Sequence, residues 1–145
     1  MIKYMNLIGI KARKASEYKV TTEVKNKVLN DYAKLIKNEK KFIINQNSKD
    51  INYARKKGLK ENLIKRLHLN ENKLNGIINS ILKIAKLRDP IDNTLDKWKR
   101  PNGLNIKRVS IPIGVIGVIY ESRPNVTSDV ASLCFKSGNV VILKG

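Results

Sequence analysis

Apolar residues recur at helical spacing from the start of the chain to about residue 87. Met5, Ile8, Ala12 and Ala15 make one stripe. Val28, Leu29, Tyr32, Ala33 and Ile36 make a second, with Thr21 and Thr22 ahead of it as candidate caps. A third helix is expected from near Ser48 to Lys56 and Lys57, where Gly58 supplies the glycine that helices favour just past their ends. The next is expected from about Asn70, with Leu74, Ile77, Ile78, Ile81, Leu82 and Ala85 on one broad face, until Asp89 and Pro90 stop it. All these stripes read as core. Residues 1–93 therefore form a helical part.

After Pro90 the period shortens. Residues 95–100 and 104–111 flank Pro101, Asn102 and Gly103, a turn cluster that predicts a hairpin within residues 94–111. Leu104, Ile106 and Arg108 share one face of its second arm; Asn105, Lys107 and Val109 share the other. Spacing alone leaves open whether the hairpin is an oligomerisation arm or a plain connection. Residues 115–120 and 140–143 are continuous apolar runs, which imply strands buried on both faces, and a helix is expected between them over residues 124–137. Strand, helix, strand in that order implies a right-handed parallel βαβ unit over residues 112–145. Two strands and one helix cannot cover both faces of a sheet. The chain is therefore expected to be the front portion of a larger cytoplasmic α/β enzyme, inert by itself and loosely packed in its last third.

Composition narrows the classes. The chain has 145 residues, 41% of them hydrophobic and 29% charged, and no run approaches the roughly 20 apolar residues a bilayer requires. A single cysteine, Cys134, cannot form an internal disulfide; with a single histidine, His68, no zinc cluster is expected. Val126, Val130, Leu133 and Cys134 lie at helical spacing, so Cys134 reads as a small apolar residue packed on the sheet. A net charge of +18 suggests phosphate affinity. The lysines are dispersed along helices with few aromatics to stack bases, so only nonspecific, salt-sensitive nucleic-acid binding is expected.

Chemistry should gather at the carboxyl ends of the parallel strands, where ligands bind in such sheets. Tyr120, Glu121, Ser122 and Arg123 follow the first strand and Lys144 ends the second, so they emerge at one edge. The next helix turns its N-terminal amides, near Asn125 and Val126, toward that edge, which suits a phosphate or a developing oxyanion. The bland alternative is a surface ion pair between Glu121 and Arg123. Gly114 and Gly117 lie before or within the strand, so the G-x-G-x-x-G fingerprint is absent.

The run PIGVIGVIYESRPNVTSDVASLCFKSGNVVILKG over residues 112–145 resembles the gamma-glutamyl phosphate reductase (glutamate-semialdehyde dehydrogenase) family of proline biosynthesis. WKRPNGLNI, from Trp98, is similar to the hairpin that precedes it there, and the helical opening through LRDPI matches in layout. The resemblance implies an aldehyde-dehydrogenase-like fold and reduction of gamma-glutamyl phosphate by NADPH to the semialdehyde and phosphate, in a homo-oligomer that associates with glutamate kinase. It implies a catalytic cysteine thiolate further along the chain. No catalytic residue and no metal ligand is expected within these 145 residues. Carried over position by position, Tyr120, Glu121, Ser122 and Lys144 would bind the cofactor, while Arg123 and Asn125 would face the reacting end of the substrate. Ser122 stands where the wider superfamily places an asparagine of the oxyanion hole. Against this enzyme stands a nonenzymatic reading, a basic helical module for nucleic acid or for assembly.

Overall fold

The computed structural model describes residues 2–121 and 123–145. Five helices come first: α1 (Ile2–Ala15), α2 (Thr22–Asn38), α3 (Lys40–Lys56), α4 (Glu61–Leu67) and α5 (Glu71–Lys86). An antiparallel hairpin of β1 (Thr94–Lys99) and β2 (Asn105–Val109) follows. The chain then runs through β3 (Val115–Ile119), α6 (Pro124–Lys136) and β4 (Val140–Lys144), with β3 and β4 paired in parallel as the continuous apolar runs predict.

Helices α2 and α5 hold the main core. Leu29, Ala33 and Ile36 pack against Leu74, Ile77, Ile78, Ile81, Ile84 and Ala85, with Tyr32 and Phe135 half-buried at the margin. Each fully buried aliphatic side chain is worth about 1.5 to 3 kcal/mol, so this seam dominates stability. The caps are local: the Thr21 hydroxyl accepts from Val24 N at 3.4 Å and the Asn70 amide oxygen from Lys73 N at 2.9 Å. Thr22, expected as a cap, lies inside α2 and bonds Asp89 instead.

Two helical expectations are corrected. Helix α3 begins at Lys40 rather than near Ser48, because Glu39 serves at once as the end of α2 and the start of α3, and the chain bends there without glycine or proline. Helix α4 was not expected at all, since seven residues give too few turns for a period. It is placed by Ile64, buried with Ile51 and Ala54 of α3, and by Asn47, whose amide donates to Leu67 O at 2.9 Å and accepts from Leu69 N at 2.7 Å. Buried Asn47 thus satisfies the backbone between α4 and α5.

Polar groups lock the remaining elements to that core. The Lys25 ammonium, on a side chain only 5% exposed, lies 2.8 Å from the Asp89 carboxylate, which also accepts from the Thr22 hydroxyl and from Ile91 N. Lys136, near the end of α6, donates to Ala85 O at 2.9 Å and to the side chain of Asn26. Gly138 turns the chain into β4 at φ 68°, a conformation an L side chain adopts with strain, and a Cβ there would sit 3.1 Å from Pro112.

The hairpin turns at Pro101, Asn102 and Gly103, with Arg100 N bonded to Leu104 O at 2.9 Å. Trp98 pairs with Ile106 and Asp96 with Arg108. Every residue of β1 is exposed, and on β2 only Ile106 is half-buried, so the ribbon projects from the body. Burial of the parallel strands on both faces is not met. Gly117 is exposed and Ile119 is 87% exposed, because two strands have too few neighbours to cover both faces. On α6, Leu133 is exposed where the spacing predicted burial; Ser128, Ser132 and Cys134 are buried, and the small serines let α6 approach α5 closely.

Burial by itself would raise the Asp89 carboxyl, but hydrogen bonds from Lys25, Ile91 N and Thr22 outweigh it and hold the group below its ordinary 3.8. A depressed folded value stabilises the fold above 3.8, and that contribution is lost as the pH falls through the folded value. Asp89→Asn should therefore cost about 3 kcal/mol in urea melts at neutral pH by leaving Lys25 buried without a counter-charge. The gap to the native chain should narrow in acid.

Candidate functional site

Parallel pairing fixes the edge at which the expected site residues emerge. Tyr120 N donates to Lys144 O at 3.0 Å, extending the ladder one residue beyond β3, so the carboxyl ends of both strands stand side by side. The Tyr120 ring lies against Gly145, where a Cβ would come within 3.2 Å of it, and its hydroxyl bonds the Thr127 hydroxyl on the second turn of α6. Tyr120 is thereby fixed between the strand ends and the helix. Lys144 is exposed, and its ammonium donates to Gly145 O at 2.6 Å. Ser122 lies outside the described residues.

The strand exit divides the expected residues into two groups. Tyr120 and Lys144 stay at the sheet edge. Arg123 and Asn125 instead line an open cleft of about 540 Å³ whose opposite wall is the end of α4 and the first turns of α5. Lys65, Arg66 and His68 come from the α4 side and Lys73 from α5, with Leu69 and Ile77 as its apolar floor. Glu121 links the groups. It pairs with Arg66 at 3.8 Å rather than with Arg123, since Arg123 turns toward the cleft at the start of α6. With both partners about half or more exposed, that pair adds little stability.

At the N-terminus of α6, Pro124 brings no amide proton and Val126 N donates to Arg123 O at 3.1 Å. The expected anion-binding role of the Val126 amide is therefore corrected, because the helix spends it on its own first turn. The charge at this end comes from side chains. Asn125 donates to the Asp129 carboxylate at 3.1 Å through one oxygen, while the other is buried without a hydrogen-bond partner among the described residues. Burial first, and then the nearby Asp129 charge, push the Tyr32 phenol up. Sequence reasoning missed Lys65, Arg66, Lys73 and Asp129. The one legible sign was basic residues at the unpredicted end of α4.

Cys134 lies on the buried side of α6, 7% exposed, and burial pushes its thiol up, away from the thiolate. Among the described residues no group of three or more His, Cys, Asp or Glu side chains could hold a metal ion, and no helix is long and apolar enough to cross a membrane.

Comparison with known proteins agrees with this architecture. No protein-family model matches the chain. A gamma-glutamyl phosphate reductase of Nautilia profundicola is 50% identical over 123 residues, covering 85% of this chain and 30% of that protein. One from Clostridium tetani is 44% identical over 145 residues, covering 99% of this chain and 34% of its own length. The crystal structure of gamma-glutamyl phosphate reductase from Thermotoga maritima superposes with a TM-score of 0.87 at 41% identity, over 92% of this chain and 33% of that one. That of the Saccharomyces cerevisiae enzyme gives 0.91 at 33% identity, over 96% and 36%. The chain spans about a third of the length of the relatives it matches. The resemblance read from ESRPNVT and SGNVVILKG thus holds in sequence and in three dimensions: over that third, the chain is similar in sequence and in fold to the gamma-glutamyl phosphate reductases.

Proposed function

We propose that the chain supplies part of the cofactor-binding framework of a reductase that converts gamma-glutamyl phosphate to glutamate gamma-semialdehyde and phosphate with NADPH. The observation that carries this is the joining of two facts at one place. The segment that most resembles the family, residues 112–145, is also the segment whose parallel strands bring Tyr120 and Lys144 to a common edge. An exposed edge at the carboxyl ends of two parallel strands, carrying the Lys144 ammonium, fits a dinucleotide phosphate or ribose.

On this reading the cofactor lies along Tyr120, Glu121, Ser122 and Lys144. When bound, it supplies the hydride. Tyr120, braced by Thr127 and Gly145, offers a fixed ring face, and Lys144 pairs with a ribose hydroxyl or phosphate. Arg123 and Asn125 face the reacting end, where a guanidinium can hold a phosphoryl group by paired hydrogen bonds. The acyl phosphate must be attacked by a thiolate, and Cys134 does not suit that role: its sulfur is buried and its ionisation suppressed. The single cysteine of the chain is thus structural, and the nucleophile lies outside these residues. The exposed hairpin, with Leu95, Trp98, Leu104 and Val109 open to solvent, suits a contact between copies, and the setting is cytoplasmic.

Two measurements test the reading. Titration of NADPH fluorescence should give saturable binding that Lys144→Ala weakens by about tenfold, the effect of one charge-assisted hydrogen bond of roughly 1.5 kcal/mol. An unchanged dissociation constant would remove Lys144 from the site. Cys134 should react with a disulfide reagent at least about ten times more slowly in native buffer than in denaturant. Fast native labelling would reopen a catalytic role for it.

A further inference from the structure

The cleft between α4, α5 and the start of α6 has a charge pattern that phosphate binding alone does not require. Its volume of about 540 Å³ is that of a small-molecule pocket. Four cations line it: Lys65 and Arg66 from α4, Lys73 from α5 and Arg123 at the mouth of α6. Lys73 is held by the carbonyls of His68 at 2.6 Å and Lys65 at 3.3 Å, neutral acceptors that fix its position without cancelling its charge. Arg66 is held by the weak contact with Glu121, from which a stronger anion can draw it.

Among these cations sits one carboxylate, Asp129, for which no ion pair is found among the described residues. Among the described residues one of its oxygens accepts only the neutral Asn125 amide, and the other, buried, has no hydrogen-bond partner. A carboxylate this poorly compensated gains from a cation placed on its open side, because its charge is shared by both oxygens. The cleft thus fits a ligand with two anionic groups and one cationic group, joined by a short methylene chain that Leu69 and Ile77 can cover.

We infer that this cleft recognises the amino-acid end of the substrate: Asp129 takes the α-ammonium, while the surrounding lysines and arginines take the carboxylate and the group at the far end. The inference rests on the reductase reading for the identity of the substrate, and it assigns Asp129 as a specificity residue.

His68 lines the cleft and is the one histidine of the chain, so its imidazole proton resonance reports on occupancy without a label. L-Glutamate titrated into the chain should move that resonance saturably. Glutarate, which lacks the ammonium, should bind about fivefold more weakly, the effect of one modest ion pair. Asp129→Asn should erase the difference while leaving glutarate affinity unchanged. Equal affinity of the two ligands for the native chain would overturn the assignment whether or not the variant folds, as would an unmoved resonance or a preference that survives in Asp129→Asn. The NADPH titration is a separate readout. If NADPH binds and His68 stays still, this inference fails and the reductase reading stands; if His68 discriminates while NADPH does not bind, the cofactor assignment fails instead.

Discussion

Two lysine ammonium groups lie almost wholly inside this protein, and the arrangement of its elements follows from how they are satisfied. Removing a charge from water costs several kcal/mol unless the fold returns equivalent contacts. Lys25 receives Asp89, which lies beyond the end of α5, at the start of α2. Lys136 receives the Ala85 carbonyl in the last turn of α5 and the side chain of Asn26 on α2. Both match helix dipoles, since a carboxylate favours the N-terminus of α2 and an ammonium the C-terminus of α5. Hydrophobic contact between α2 and α5 is tolerant of small slips. These hydrogen bonds are not, so they fix where the segment leaving α5 and the helix α6 sit on the core.

That fixing carries through to the sheet edge. Asp89 also accepts from Ile91 N, and the Asn93 amide donates to Asp89 O at 2.7 Å, so the chain leaves α5 in a set direction before the hairpin projects. Pro112 then passes beside Gly138, and Gly114 N donates to the Asn139 side chain at 2.9 Å, which sets β3 against β4. The register in which Tyr120 meets Lys144 is thus inherited from the core through a short series of polar contacts. Apolar burial supplies most of the stability, and the polar contacts supply the geometry.

What could be read from the sequence divides along the same line. Periodicity gave α2 and α5, because Leu29, Ala33 and Ile81 face packed neighbours and burial imposes a period, whereas the parallel pair was legible as two continuous apolar runs. It missed α4, whose position depends on Asn47 reaching across from α3, a contact between residues 20 or more apart that leaves no local trace. It also overstated burial at Ile119 and Leu133, since a hydrophobic residue identifies a face but not what covers it. The sheet-edge residues were legible because parallel topology alone brings strand ends together. The cleft was not, because Lys65, Arg66 and Lys73 look like any solvated lysine or arginine until α4 folds against α3 and, with the start of α5, faces Arg123.

The division of the expected site into a sheet edge and a cleft bears on how the two could act together. Tyr120 is fixed by the strands and Arg123 stands in the cleft wall at the start of α6, so the two regions are near neighbours along the chain. Glu121 reaches Arg66 through a weak, exposed contact. A ligand anion in the cleft would compete with Glu121 for Arg66, and a group bound at the sheet edge would lie beside the same short segment. On the proposed reading the two regions therefore meet at one weak, exposed ion pair between Arg66 and Glu121, while the bonds of Lys25 and Lys136 hold the helices behind them.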